Sequence, residues 1–163
     1  MRDLMPKSET DFLSEWPPIR VVRLLYVDDE GVIRLIDHLL ESYIVYAASD
    51  GDGESLFDEV FNKNLSVLKN TPKQTTVTLY SNEAYIRRPE FRFGAHHMLI
   101  EFSALDFNSD SFSFEGLTRV LDEWASIIGV SEYEVYYEIN DEWRAGEFSD
   151  RTLILKRNIK AGR

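Results

Sequence analysis

The chain has 163 residues, a formal net charge of −11 and no cysteine. Its length suits one folded domain with its own core, and an apolar content of 44% with 13% aromatics excludes a disordered tail. The lack of thiols excludes disulfides and thiolate chemistry and suits a reducing compartment.

The charge comes in blocks. Residues 28–60 hold ten acids and one base, and residues 110–142 hold nine acids and one base. Residues 61–92 carry six bases and two acids, and residues 151–163 carry five bases and no acid. Binding to phosphates needs a dominant basic surface, so nucleic acid is disfavoured as a partner. Strong acidity keeps a protein soluble and speeds its encounter with a basic partner. No apolar run approaches the roughly 18–20 residues that span a bilayer. Residues 1–18 contain no apolar core of signal-peptide length. Together these predict one α+β domain over residues 1–163, with 1–18 as an N-terminal extension, in the cytoplasm and away from membranes.

Taken in order, residues 1–18 end in Trp16-Pro17-Pro18. Ser8 could cap one helical turn before the proline pair breaks it. Residues 20–27 (RVVRLLYV) read as a strand, and VIRLIDHLLESY then shows helical spacing through Val32, Ile33, Ile36, Leu39, Leu40 and Tyr43. A hairpin turning at Gly31 is the alternative; the persistence of the spacing to Tyr43 favours strand then helix. Residues 44–48 read as a second strand, 50–53 as a turn, and ESLFDEVFNKN as a short helix. Residues 66–75 read as a connection, 76–81 as a strand, 82–95 as a basic aromatic loop broken by Pro89 and Gly94, and 97–105 as a strand.

The most regular stretch runs from Ser113 to Asn140. Leu117, Val120, Leu121, Trp124, Ile127 and Ile128 mark one helical face, with Ser113 as N-cap and Gly129 as the stop. The period then becomes two. Tyr133, Val135, Tyr137 and Ile139 point one way, and Glu134, Tyr136, Glu138 and Asn140 the other. Residues 151–159 form a closing basic strand. The order β-α-β-α-β-β-α-β-β predicts a largely antiparallel or mixed sheet with about three helices packed on it.

Several stretches along the same path carry candidate site chemistry. Adjacent carboxylates Asp28 and Asp29 at a strand end are the candidates for holding a hard cation, or else an acidic start to a helix. Asp50-Gly51-Asp52-Gly53-Glu54 fails as a calcium loop, because Ser55 stands where glycine is needed and Phe61 where glutamate is needed. His97 and Glu101 share a strand face but lie about 13 Å apart by the strand rise. The chain has no G-x-S-x-G, P-loop or dinucleotide fingerprint. The expectation is therefore a protein that is not an enzyme, with no cofactor. What remains is an acidic and aromatic surface: Glu134, Tyr136 and Glu138 on one strand face, Asp141, Glu142 and Trp143 in the turn beyond, and Asp106 and Asp110 beside Phe107 and Phe112 in the loop before the helix. Tyr and Trp supply rigid contact area, and carboxylates pair with a basic partner. The alternative is that Tyr136 packs internally and the acids are solvated.

Two resemblances follow from these residues. LLYVDDEGVIRLIDHLLES with AASDGDGESL, within residues 20–60, resembles the opening of a response-regulator receiver domain, which implies Mg²⁺ ligation by Asp28 and Asp29. The chain departs from that pattern, with no acid between Glu59 and Glu83 and no lysine between Lys73 and Lys156. As a small, acidic, cysteine-free α+β chain with acidic-aromatic segments, it resembles by type the bacterial immunity proteins of polymorphic and contact-dependent growth-inhibition toxins. That resemblance implies a protein partner, a basic toxin domain, neutralised by binding. The other implied readings are a degenerate receiver-like signalling module and an acidic mimic of nucleic acid.

Overall fold

The protein is seen in a computed structural model that describes residues 9–14, 18–69, 74–94, 97–107, 110–137 and 153–159. Within these residues the strands are β1 (Ile19–Leu25), β2 (Ile44–Ser49), β3 (Thr75–Tyr80), β4 (Glu90–Gly94), β5 (His97–Ser103), β6 (Glu132–Tyr137) and β7 (Leu153–Asn158). They form one sheet in the order β2-β3-β4-β5-β1-β6-β7, and every pairing is antiparallel. The helices are α1 (Glu9–Ser14), α2 (Asp29–Leu39), α3 (Phe57–Phe61) and α4 (Phe114–Ile128).

α4 begins and ends where its sequence directs. The Ser113 side chain accepts a hydrogen bond from the Gly116 N–H at 2.9 Å, and Gly129 closes the helix at φ 99°. Leu117, Leu121, Trp124, Ala125 and Ile128 are buried on the sheet side. The Trp124 ring lies 5.6 Å from that of Phe91 in β4. α2 starts at the Asp28 cap, whose Oδ1 accepts from the Gly31 N–H at 2.7 Å. Strand-then-helix holds, and the hairpin alternative does not. Gly31 lets α2 approach the end of α4, since a Cβ there would stand 2.2 Å from the Ile128 carbonyl oxygen. Arg34 completes the junction by donating to the Ile127 and Ile128 carbonyls at 3.0 and 2.9 Å, satisfying acceptors left open at the end of α4.

The sheet's covered face is apolar. Val22, Leu24, Val77, Leu79, Phe91, Phe93, Met98, Ile100, Phe102 and Val135 meet α2 and α4 in one buried cluster. Each such side chain contributes about 1.5–3 kcal/mol through burial. At one end α1 packs Phe12 against Phe112, with ring centroids 5.0 Å apart. The wholly buried Arg20 tethers α1 by donating to the Phe12 carbonyl at 3.1 and 2.7 Å.

Two expectations change. Residues 82–95 are not all loop, because Glu90–Gly94 is a strand whose Phe91 and Phe93 point into the core. The receiver-like reading of residues 20–60 does not survive the topology: β1 lies between β5 and β6, β2 sits at the far edge beside β3, and among the described residues no pair runs parallel.

Candidate functional site

The other face of the sheet carries charged residues set among buried Val21, Leu99 and Tyr136. Alternation along β1, β6 and β7 brings Arg23, Glu134 and Lys156 side by side, since Arg23 is in register with Glu134 and Glu134 with Lys156. Arg23 Nη2 and Nε donate to Glu134 Oε1 at 2.6 and 3.0 Å, with both side chains less than a quarter exposed. The pair borders a cleft of about 360 Å³ that also takes in Leu25, Tyr26, Gly129–Glu132 and Lys156. Tyr26 stands at its lip, 88% exposed and with φ 63°. Holding a non-glycine residue in the left-handed region costs about 1–3 kcal/mol. Leu25 beside it is 44% exposed.

A second charged group lies across β3, β4 and β5. Arg92 binds Glu90 at 2.8 Å and Glu101 at 2.9 Å, and the Thr78 hydroxyl donates to Glu90 at 3.4 Å. Burial pushes the Glu90 pKa up, but a hydrogen bond shared with Glu101, the Arg92 charge and bonds from Arg92 and Thr78 together hold it below the ordinary carboxylate value. These residues floor a shallower cleft of about 530 Å³, bordered by Tyr46, Arg88 and Asp106.

Polar groups beneath the helices serve the fold. Asp122 of α4 accepts from the Tyr133 hydroxyl at 2.7 Å and from Arg157 at 2.8 Å. Burial first, then the Asp122 contact, raises the Tyr133 pKa far above its usual value, while Asp122 raises that of Arg157. The Tyr43 hydroxyl donates to the Ile86 carbonyl at 2.6 Å, and burial raises its pKa strongly as well.

The residues singled out in the sequence separate. Glu134 borders the first cleft in its ion pair, and Asp106 borders the second. Asp110 is exposed in the loop before α4. Tyr136 lies on the outward strand face as expected, yet it is buried, with the Arg23 guanidinium 5.7 Å from its ring centroid. Glu138, Asp141, Glu142 and Trp143 fall outside the described residues. Phe107 and Phe112 belong to the aromatic cluster around Phe12. Asp28 caps α2, and among the described residues no group of three or more His, Cys, Asp or Glu side chains could hold a metal ion. No described helix is long and apolar enough to cross a membrane. Tyr26 escaped the sequence reading because LLYV continues the apolar run of β1, so nothing in it marks a left-handed turn.

No protein-family model matches the chain, and no curated protein matches it. A search of solved structures finds a chain from the crystal structure of the toxic C-terminal tip of CdiA from Pseudomonas aeruginosa in complex with immune protein. The two chains are 12% identical, with a TM-score of 0.49, over 86% of this chain and 95% of that one.

Proposed function

We propose that this protein is an immunity-type inhibitor: it binds one cognate bacterial toxin domain of basic surface, in the cytoplasm, and neutralises it by contact. The observation that carries this reading is Tyr26, an almost fully exposed aromatic in left-handed backbone at the lip of the charged cleft. Backbone strain at an exposed aromatic does nothing for folding, and such residues concentrate where a surface is held ready for a partner. Leu25 extends the apolar contact, and Glu132 and Glu134 supply carboxylates for basic side chains. Glu138, Asp141, Glu142 and Trp143, just beyond β6 in the sequence, are assigned to the same interface; Asp106 and Asp110 form its outlying part. Tyr136 supports the surface from beneath Arg23. The chain acts here by binding and not by catalysis. Its net charge of −11 steers a basic partner inward, which makes association fast and sensitive to salt.

The test is co-expression with the product of the neighbouring toxin gene. One tight partner should be recovered, and Tyr26→Ala should weaken it by about 30-fold, the loss typical of an interface anchor. Recovery of no partner would overturn the reading.

A further inference from the structure

The second feature prepared for contact is an edge. β2 is the outermost strand on its side of the sheet and is hydrogen-bonded to β3 alone among the named strands. An edge strand presents a row of backbone donors and acceptors, and proteins commonly blunt such an edge with lysine, proline, a bulge or a covering element. β2 reads IVYAAS, with no charge and no proline. It has one irregularity, between Val45 and Ala47. Its C-terminal end is closed: the Ala48 carbonyl accepts from the Leu56 N–H at 2.9 Å, and Ser49 bridges to Ser55. Toward its N-terminus, Ile44 is 64% exposed and Tyr46 59%, and among the described residues nothing pairs with the outer edge there. Arg88 lies over the Tyr46 ring at 5.5 Å.

Charge specifies the occupant. The chain enters β2 after Glu41 and leaves it into Asp50, Asp52 and Glu54, so carboxylates flank an uncharged apolar stretch at both ends. We infer that the outer edge of β2 at Ile44–Ala47 accepts an extended segment of the partner protein, apolar in its middle and lysine- or arginine-rich at its ends, as an added strand. Main-chain hydrogen bonds supply affinity, Ile44 and Tyr46 supply cross-strand contacts, and the flanking acids select basic ends. This deepens the inhibitor reading and rests on it for the identity of the partner, because a basic toxin domain is the protein that would present such a segment.

The test uses the intact protein and a synthetic peptide of alternating valine and threonine with lysines at both ends, with an otherwise identical peptide carrying glutamates at its ends. Amide hydrogen exchange and binding titrations are read together. The lysine-ended peptide should slow exchange at the outward amides of Ile44–Ala47. It should bind about tenfold tighter than the glutamate-ended peptide, a gap that closes as salt screens the flanking charges. Ile44→Lys with Tyr46→Lys should weaken binding by about tenfold at an unchanged thermal midpoint, since both side chains are exposed. Three results would each overturn the inference: no protection at Ile44–Ala47, equal binding of both peptides, or protection that rises with protein concentration in the absence of peptide, which would assign the edge to a second copy of this chain. The peptide assay needs no toxin. A toxin that binds through the Tyr26 cleft while the peptide fails removes only this inference, and a peptide that binds where no toxin partner exists removes only the inhibitor reading.

Discussion

The two faces of the sheet are made by the same strands and do opposite things. Under the helices, the odd residues of β6, Tyr133 and Val135, sit in the apolar cluster, and polar groups are held in specific hydrogen bonds, as Tyr133 and Arg157 are by Asp122. On the open face the even residue Glu134 meets Arg23, and Arg92 meets Glu90 and Glu101, beside exposed Leu25 and Tyr26. Helix packing needs close fit, so substitutions there should cost stability. Leu25 and Tyr26 are exposed, so substitutions there should leave the fold standing and change what the surface binds, whereas removing one member of the largely buried ion pairs would leave a charge without its partner.

The largest effect belongs to the covered face. Trp124→Ala should destabilise by about 3–5 kcal/mol, through lost burial and the cavity left against Phe91, read as a lower urea midpoint. Gly31→Ala should cost about 2 kcal/mol, because its Cβ has to push back the Ile128 carbonyl at the α2–α4 junction. Equal stability of that variant would mean the two helices are further apart than described.

The pH dependence should divide the faces too. Tyr133 has a raised pKa in the folded protein. Its contribution is therefore complete below the usual tyrosine value of about 10 and is lost as pH climbs beyond it. Glu90 has a lowered pKa in the folded protein, so its contribution is present above the ordinary value of 4.5 and is lost as pH falls below that value. Tyr133→Phe should flatten the alkaline limb of stability against pH, and Glu90→Gln should flatten the acid limb, both followed by urea unfolding at stepped pH. A single variant that flattened both limbs would mean the faces are coupled. The smallest stability change should come from Leu25→Ser, at about 0.5 kcal/mol or less in the same urea assay, because that side chain is exposed at the cleft.

The same contrast governs how much could be read in advance. The covered face was legible because its signals are local. Ser113 and Gly129 bracket α4 at the residues where it begins and ends, and the alternation of Tyr133 and Val135 against Glu134 gives the faces of β6. β4 was missed because five residues between Pro89 and the segment after Gly94 are too short to outweigh those breakers, although Phe91 and Phe93 already alternate. The open face was legible only as a list of charges. Arg23 and Glu134 are 111 residues apart in the chain, and no local pattern pairs them. The burial of Tyr136 has the same origin, because its neighbours Val21 and Arg23 come from β1 and Leu153 from β7. Tyr26 is a matter of backbone conformation, which an apolar run does not encode.

The central claim is that the open face binds a toxin domain and that Tyr26 is held in strain for that purpose. Titration calorimetry of the protein and its Tyr26→Gly variant against a toxin domain recovered as its partner, with thermal unfolding of both, tests it most directly. Glycine adopts φ 63° without the cost tyrosine bears. The account predicts affinity weakened by about 30-fold and a thermal midpoint equal to or above that of the parent. Unchanged affinity, whatever the midpoint, would contradict it.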